Sequence, residues 1–398
     1  MFLDLIRRRN SALVEQAIAL HQAGRLPANS YVIDLDAVEA NARIIAGAAE
    51  KLGLKVYAMT KQMGRNASFC RAAMRGGIAK AVAVDMECAR ATHRAGLGLG
   101  HVGHLVQVPR AEADAAASMK PDHWTVFNNE KAAEAAAANK RRGQTQGLLA
   151  RIVAEGDRFY RGHEGGFAAA DIVSVAESFD ALEGGRFAGI TTFPALLFDE
   201  QTGKVKPTPN LATLERAAAA LAKAGRRDVE INTPGTTSST VLAALAAAGA
   251  TQVEPGHGLT GTTPLHAVQD LPERPAVVYL SEVSHLHGGE AFCFGGGLYI
   301  DPVFPAYQVK AFVSREPTSA ASALAPVAIP APDAIDYYGM IDATAPVRPR
   351  VGDSVVFGFR PQAFVTRAYV VGVRGLSLGA PVVEAVHDAL GRPADWPM

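Results

Sequence analysis

The sequence predicts a (β/α)8 TIM-like barrel followed by a mostly antiparallel β domain. Three observations carry this reading. From about Tyr31 to Pro264, short β-branched runs alternate with alanine-rich stretches, as strands alternate with helices around a parallel sheet. Setting aside the first run, Tyr31–Leu35, leaves eight, the strand count of a closed (β/α)8 barrel. After Pro264 the texture becomes alternating, as in Asp353-Ser-Val-Val-Phe-Gly-Phe-Arg360. That pattern suits antiparallel strands with one buried face.

The elements follow in order. Residues 1–29 open with Met-Phe-Leu-Asp-Leu-Ile-Arg-Arg-Arg-Asn, the spacing of an amphipathic helix. The barrel is expected over residues 30–265. Its strands are Lys55–Thr60, Ala79–Val84, His101–Val108, His123–Phe127, Leu148–Ala154, Phe187–Thr192, Asp228–Asn232 and Thr251–Glu254. Between them, Ala111–Met119, Asn129–Lys140 and Leu211–Ala224 are rich in alanine, the best helix former. A doubly wound open sheet is the rival. It would carry a glycine-rich turn after its first strand, and Gln62-Met-Gly-Arg65 is not one. The β domain is expected over residues 266–398. Gly295-Gly-Gly297 and Ala325–Pro332 mark its turns and loops, and helical signal returns only at Pro381–Leu390.

Composition narrows the function classes. The chain is 48% hydrophobic and 20% charged, enough for a sizeable globular core. Lys plus Arg and Asp plus Glu both total 39, which argues against nucleic acid or an acidic membrane as the partner. Cys70, Cys88 and Cys293 are too few and too scattered for a disulfide framework or a zinc knuckle. The N-terminal charge follows the apolar residues, the reverse of a secretion signal, and no apolar run is long enough to span a bilayer. A cytoplasmic protein with a small-molecule substrate is expected.

The chemistry starts at Lys61, which ends the apolar run Lys55-Val-Tyr-Ala-Met-Thr60. At the carboxyl end of a first barrel strand, its amine points into the face where barrel enzymes do chemistry. A desolvated lysine becomes a nucleophile able to form a Schiff base. Two later loops support it. The seventh strand runs into Thr233-Pro-Gly-Thr-Thr-Ser-Ser239, and the eighth into Glu254-Pro-Gly-His-Gly-Leu-Thr-Gly261. Loops at these positions often hold phosphate, and small hydroxyl residues and glycines expose backbone N–H groups for it. A lysine on strand one with a phosphate cradle on strands seven and eight describes a pyridoxal 5'-phosphate site.

With these motifs the chain resembles the alanine racemase-like (fold type III) pyridoxal phosphate enzymes, closest to an uncharacterised racemase-like branch. The resemblance implies a barrel plus C-terminal β domain, an amino-acid substrate and a homodimer. Lys61 matches the Schiff-base lysine, while Arg65 replaces a phosphate-contacting tyrosine. Gly235, Thr236, Thr237 and Ser238 resemble the family's phosphate loop, with Gly256 and His257 beside it. Phe193 falls where relatives place a ring-stacking residue.

Two departures stand out. Glu254 replaces the arginine that faces the pyridine nitrogen in alanine racemases. A carboxylate there favours a protonated ring, a stronger electron sink. Phe294 falls at the tyrosine that the family uses as a second base, leaving Cys293 or Tyr299 as candidates. Arg158 and Arg161 follow the fifth strand and suit a substrate carboxylate. His101, His104 and Gln107 read as structural. His285, His287 and Cys293 lack the order and spacing of a metal site, so no metal is expected. The reaction implied is amino-acid racemisation with Lys61 moving the α-proton. A D-amino-acid aldolase, dehydratase or decarboxylase is the alternative, and a non-catalytic pyridoxal phosphate-binding protein is a further one.

Overall fold

In the computed structural model, residues 1–396 other than 332 and 345 are described. The chain forms two compact units that interleave along the sequence. One comprises Ala42–Thr60 and Ala73–Gly258, and the other Met1–Asn41, Lys61–Ala72 and Leu259–Met398.

The first unit is the expected barrel. After β1 (Ser30–Asp34), its strands are β2 (Lys55–Val56, continuing as Ala58–Met59), β3 (Lys80–Val82), β4 (Gly98–Val102), β5 (His123–Val126), β6 (Gln146–Val153), β7 (Gly185–Thr191), β8 (Glu230–Asn232) and β9 (Gln252–Val253). All run parallel. The sheet closes on β2, whose first half pairs with β9 and whose second half pairs with β3. Each expected run overlaps one of these strands. The third is shifted: β4 starts at Gly98 and ends at Val102, because Gly103 adopts a left-handed φ of 75° that ends the ladder. The helix Asn129–Lys140 begins as its sequence suggests, with Asn128 accepting a hydrogen bond from the Lys131 N–H.

The second unit is antiparallel β. Its strands are β10 (Val277–His287), β11 (Glu290–Phe294), β12 (Lys310–Ser314), β13 (Leu324–Ala328), β14 (Tyr338–Asp342), β15 (Ser354–Phe357), β16 (Tyr369–Arg374) and β17 (Val382–His387). The order β11-β14-β13-β12-β15-β10 closes through β10–β11 pairing, so six strands form a ring. β1 belongs to this unit: it pairs antiparallel with β10 and parallel with β16.

β17 corrects the sequence reading. Helical signal was expected over Pro381–Leu390, but Val382–His387 is a strand antiparallel to β16. Val382, Val383 and Val386 are β-branched, and the edge of β16 offers them a ladder.

Helices α1 (Phe2–Arg9) and α2 (Ser11–Gln22) cover one face of this sheet. Leu3, Ile6, Leu13, Val14 and Ile18 share a core with Val278, Phe312, Val356 and Val371. Asp4 in the first turn of α1 and Arg7–Arg9 in its last suit the helix dipole. Truncating the buried Phe312 to alanine would cost about 3–5 kcal/mol by loss of transfer energy and cavity formation. Among the described residues no helix is long and apolar enough to cross a membrane.

Candidate active site

Parallel barrels gather side chains at the carboxyl ends of their strands. Here the centre of that end is acidic. Glu254 directly follows β9 and is buried. Asn232, the last residue of β8, donates from Nδ2 to Glu254 Oε1 at 2.7 Å and to Thr191 Oγ1 at 3.0 Å. His104 Nε2 lies 3.1 Å from Glu254 Oε2, and His101 Nδ1 lies 4.0 Å from Oε1. The His104–Glu254 contact is a close approach of imidazole and carboxylate without hydrogen-bond geometry. His101 is fully buried, and its Nε2 meets Gln252 Oε1 at 2.7 Å. Burial, with His123 nearby, pushes its pKa down to about 3. It is a neutral imidazole.

Phe193 follows β7 and stands beside this cluster. Its ring centroid lies 6.1 Å from that of His104, and 5.9 Å from those of Tyr160 and His163. Arg151, near the end of β6, is buried and donates from Nη2 to the carbonyls of His163 and Phe193. Arg158 and Arg161, the arginines singled out from sequence, are exposed on the following loop. The Arg158 backbone is fixed by paired hydrogen bonds to the Asn210 side chain.

The loop after β8 is built for close approach. The Thr236 N–H donates to Leu196 O at 3.2 Å, and Thr237 Oγ1 to Gly235 O at 3.3 Å. Thr237 and Ser238 are buried, and Gly256 and His257 half-buried. A Cβ on Gly258 would meet Thr237 O at 2.5 Å, so the loops after β8 and β9 touch backbone to backbone. No acidic residue lies between Gly235 and Ser239. Small, hydroxyl-bearing and acid-free, this cradle fits a phosphate group.

Lys61 is the next residue after Thr60, in a 3-10 turn spanning Lys61–Met63 within the β unit. Its Nζ sits 5.2 Å from the centroid of the Phe364 ring, and the Arg65 guanidinium 5.6 Å from the same ring. Arg65 is buried with φ 55°, following Gly64 at φ 56°. A Cβ on Gly64 would meet Val370 Cγ2 at 2.8 Å, so only glycine lets the turn sit this close to β16. Asn66 fastens the turn, donating to Val370 O at 3.0 Å and meeting His387 Nδ1 at 3.1 Å.

The two candidates for a second base lie elsewhere in that unit. Cys293 is buried in β11 opposite Gly339, and burial pushes its thiol up to about 12. Tyr299 is half-buried, with its pKa raised first by burial. Phe294 is 37% exposed. His285 stacks on Phe292 at 4.6 Å.

Sequence reasoning assigned His104 a structural role and passed over Asn232, Arg151 and Phe364. His104 and Asn232 carried a usable signal: each lies at or just past the carboxyl end of a barrel strand. Phe364 carried none. A cavity of about 640 Å³ opens at the opposite strand ends, lined by Lys55, Lys80, Asp122, His123, Arg186 and Glu230. Ion pairs Lys55–Glu230 and Lys80–Asp122 cross it, and that end of a barrel serves stability.

A parallel barrel with a lysine after its first strand, a phosphate-type cradle after its seventh and an antiparallel β unit is the architecture of fold type III pyridoxal phosphate enzymes. The comparisons agree. The profile of the alanine racemase N-terminal domain matches residues 33–264, and that of the YhfX-like C-terminal domain matches 278–383. The chain belongs to the alanine racemase-like family, whose cofactor is pyridoxal 5'-phosphate.

An uncharacterized protein, YhfX of Escherichia coli (strain K12), is 39% identical over 98% of this chain and 99% of its own. The fold is similar to D-threonine aldolase from Filomicrobium marinum, with TM-score 0.69, 17% identity and coverage of 93% and 96% of the two chains. It is also similar to alanine racemase of Clostridium difficile 630 in complex with cycloserine, with TM-score 0.64, 16% identity and coverage of 92% and 99%.

Proposed function

We propose that this protein is a pyridoxal phosphate-dependent enzyme acting at the α-carbon of a small amino acid. The observation that carries this reading is the buried Glu254 carboxylate, held by Asn232 just past the last barrel strand with His104 3.1 Å away. When bound, the cofactor supplies an electron sink for charge developing on the α-carbon. Glu254 would favour a proton at the ring nitrogen, because an opposite charge favours the charged form. Thr236, Thr237, Ser238, Gly256 and His257 hold the phosphate, with Gly235 shaping the turn and Arg65 adding positive charge. Phe193 would lie against the ring. Lys61 would hold the cofactor, and its amine would be the base that moves the α-proton. Arg158 and Arg161 receive the substrate α-carboxylate. A homodimer in the cytoplasm is the setting we expect.

Two reactions fit. Racemisation needs an acid–base group on each face of the α-carbon. Lys61 supplies one and Tyr299 is the candidate for the other. Phe294 has no proton to give, and Cys293 is buried with its thiol pushed up to about 12. A lyase needs one base and a strong electron sink. The buried Glu254 favours this, in keeping with the likeness to D-threonine aldolase. We therefore place an aldolase- or dehydratase-type lyase first and racemisation second.

The test is the visible spectrum of the purified protein before and after borohydride, beside Lys61→Ala. A yellow band that borohydride bleaches and the variant lacks is expected. A protein that stays colourless with added pyridoxal phosphate would overturn the reading. Product analysis then separates a carbonyl compound from an inverted amino acid.

A further inference from the structure

Arg151 is a buried cation left half-satisfied. Its residue is 1% exposed. Nη2 donates to His163 O at 2.5 Å and to Phe193 O at 3.4 Å, while Nε and Nη1 have no hydrogen-bond partner. Phe127 and Phe159 lie against the guanidinium, 4.7 and 5.8 Å from Cζ to the ring centroids. Such rings stabilise the face of the cation and leave its N–H edge unmet. The acid whose charge reaches it is Glu164, which is exposed and accepts from the Gly162 N–H.

Two half-buried arginines here are paired with acids. Arg360 pairs with Asp301, and Arg374 with Asp36 and Glu384. A buried charge without a counter-ion is costly, and an unmet buried N–H edge calls for an explanation, of which a bound anion is one. Burial also pushes the Arg151 pKa down to about 10, still leaving it cationic at neutral pH.

Its position says which ligand. Arg151 lies two residues before the carboxyl end of β6, and its Nη2 donates to the carbonyl of Phe193, whose ring stands beside His104 and the Glu254 cluster. The segment above it, which includes Arg158 to Glu164, is exposed to solvent, with Tyr160 48% exposed.

We propose that Arg151 receives a second acidic group of the substrate, so that the enzyme selects amino acids with an anionic side chain. This rests on the cofactor-dependent reading above and adds the substrate class. A buried N–H set left unmet by a neutral substrate gives strong discrimination, because the penalty falls on the wrong ligand.

The experiment is a spectral titration of the cofactor-loaded protein. Aspartate, glutamate and 2-amino-3-phosphonopropionate are compared with asparagine and glutamine, as racemates. Wild type is expected to bind at least one acidic member about tenfold or more tighter than its neutral counterpart. Arg151→Gln should bring that ratio near one, and Arg151→Lys should keep part of it. Equal binding of charged and neutral members by wild type, or no response to either, overturns the proposal whether or not the variants fold. A uniform loss across all five ligands in Arg151→Gln also overturns it, by assigning Arg151 to the α-carboxylate. A protein lacking the cofactor band would instead sink the parent reading. Calorimetric titration of that protein with succinate against succinamide would then test Arg151 alone, with equal heats counting against it.

Discussion

Glu254 Oε2 lies 3.1 Å from His104 Nε2, with both side chains buried. The Glu254 carboxylate is the acidic group that a ring nitrogen would meet at this end of the barrel. Glu254→Gln keeps the shape and the Asn232 hydrogen bond but removes the charge. Turnover is expected to fall by roughly two orders of magnitude, with cofactor still bound. His104→Ala should cost less, because Asn232 still holds the carboxylate. Steady-state kinetics with cofactor occupancy measured in parallel checks both. An unchanged turnover in Glu254→Gln would remove Glu254 from the chemistry.

Gly258→Ala tests the phosphate cradle. The added methyl would meet Thr237 O at 2.5 Å and push the two loops apart. Overpacking of this kind costs about 1–3 kcal/mol. Weaker pyridoxal phosphate binding is expected, by roughly tenfold, read by absorbance titration of the apoprotein. Inorganic phosphate should compete with the cofactor less well in the variant than in wild type.

His101 gives the pH dependence its sign. Its folded pKa, about 3, lies below the ordinary histidine value. Between the two the unfolded chain binds the extra proton, so stability rises with pH there. It is lost as pH falls from about 6.5 toward 3, by at most about 1.4 kcal/mol per pH unit for one such group. His101→Gln should flatten the melting temperature against pH between about 6 and 4, relative to wild type. A profile as steep as wild type would place the acid lability elsewhere, for example at His387, whose pKa is also lowered by burial.

The cysteines should be silent in the native protein. Cys70, Cys88 and Cys293 are all buried, and the Cys293 thiol is pushed up to about 12. A thiol-reactive dye should label none before unfolding and all three after. Rapid native labelling of Cys293, with loss of activity, would return it to the list of candidate acid–base groups.

The sequence by itself determined what repeats locally. Strand runs separated by alanine-rich helices announce a parallel sheet, and their count announces a barrel, because period and propensity are properties of neighbouring residues. Lys61 and Glu254 were legible for the same reason, each following a short strand run and so standing at a strand's carboxyl end. The tertiary structure alone decided what depends on distant partners. It took β1 out of the barrel by pairing it with β10 and β16, and turned Val382–His387 into a strand by offering it the edge of β16. It brought Asn66 to His387, 321 residues away, and His104 to Glu254. It buried Cys293 and Arg151, where composition gives no hint of depth. Burial and long-range hydrogen bonding are set by packing of the whole chain, and no local pattern encodes them.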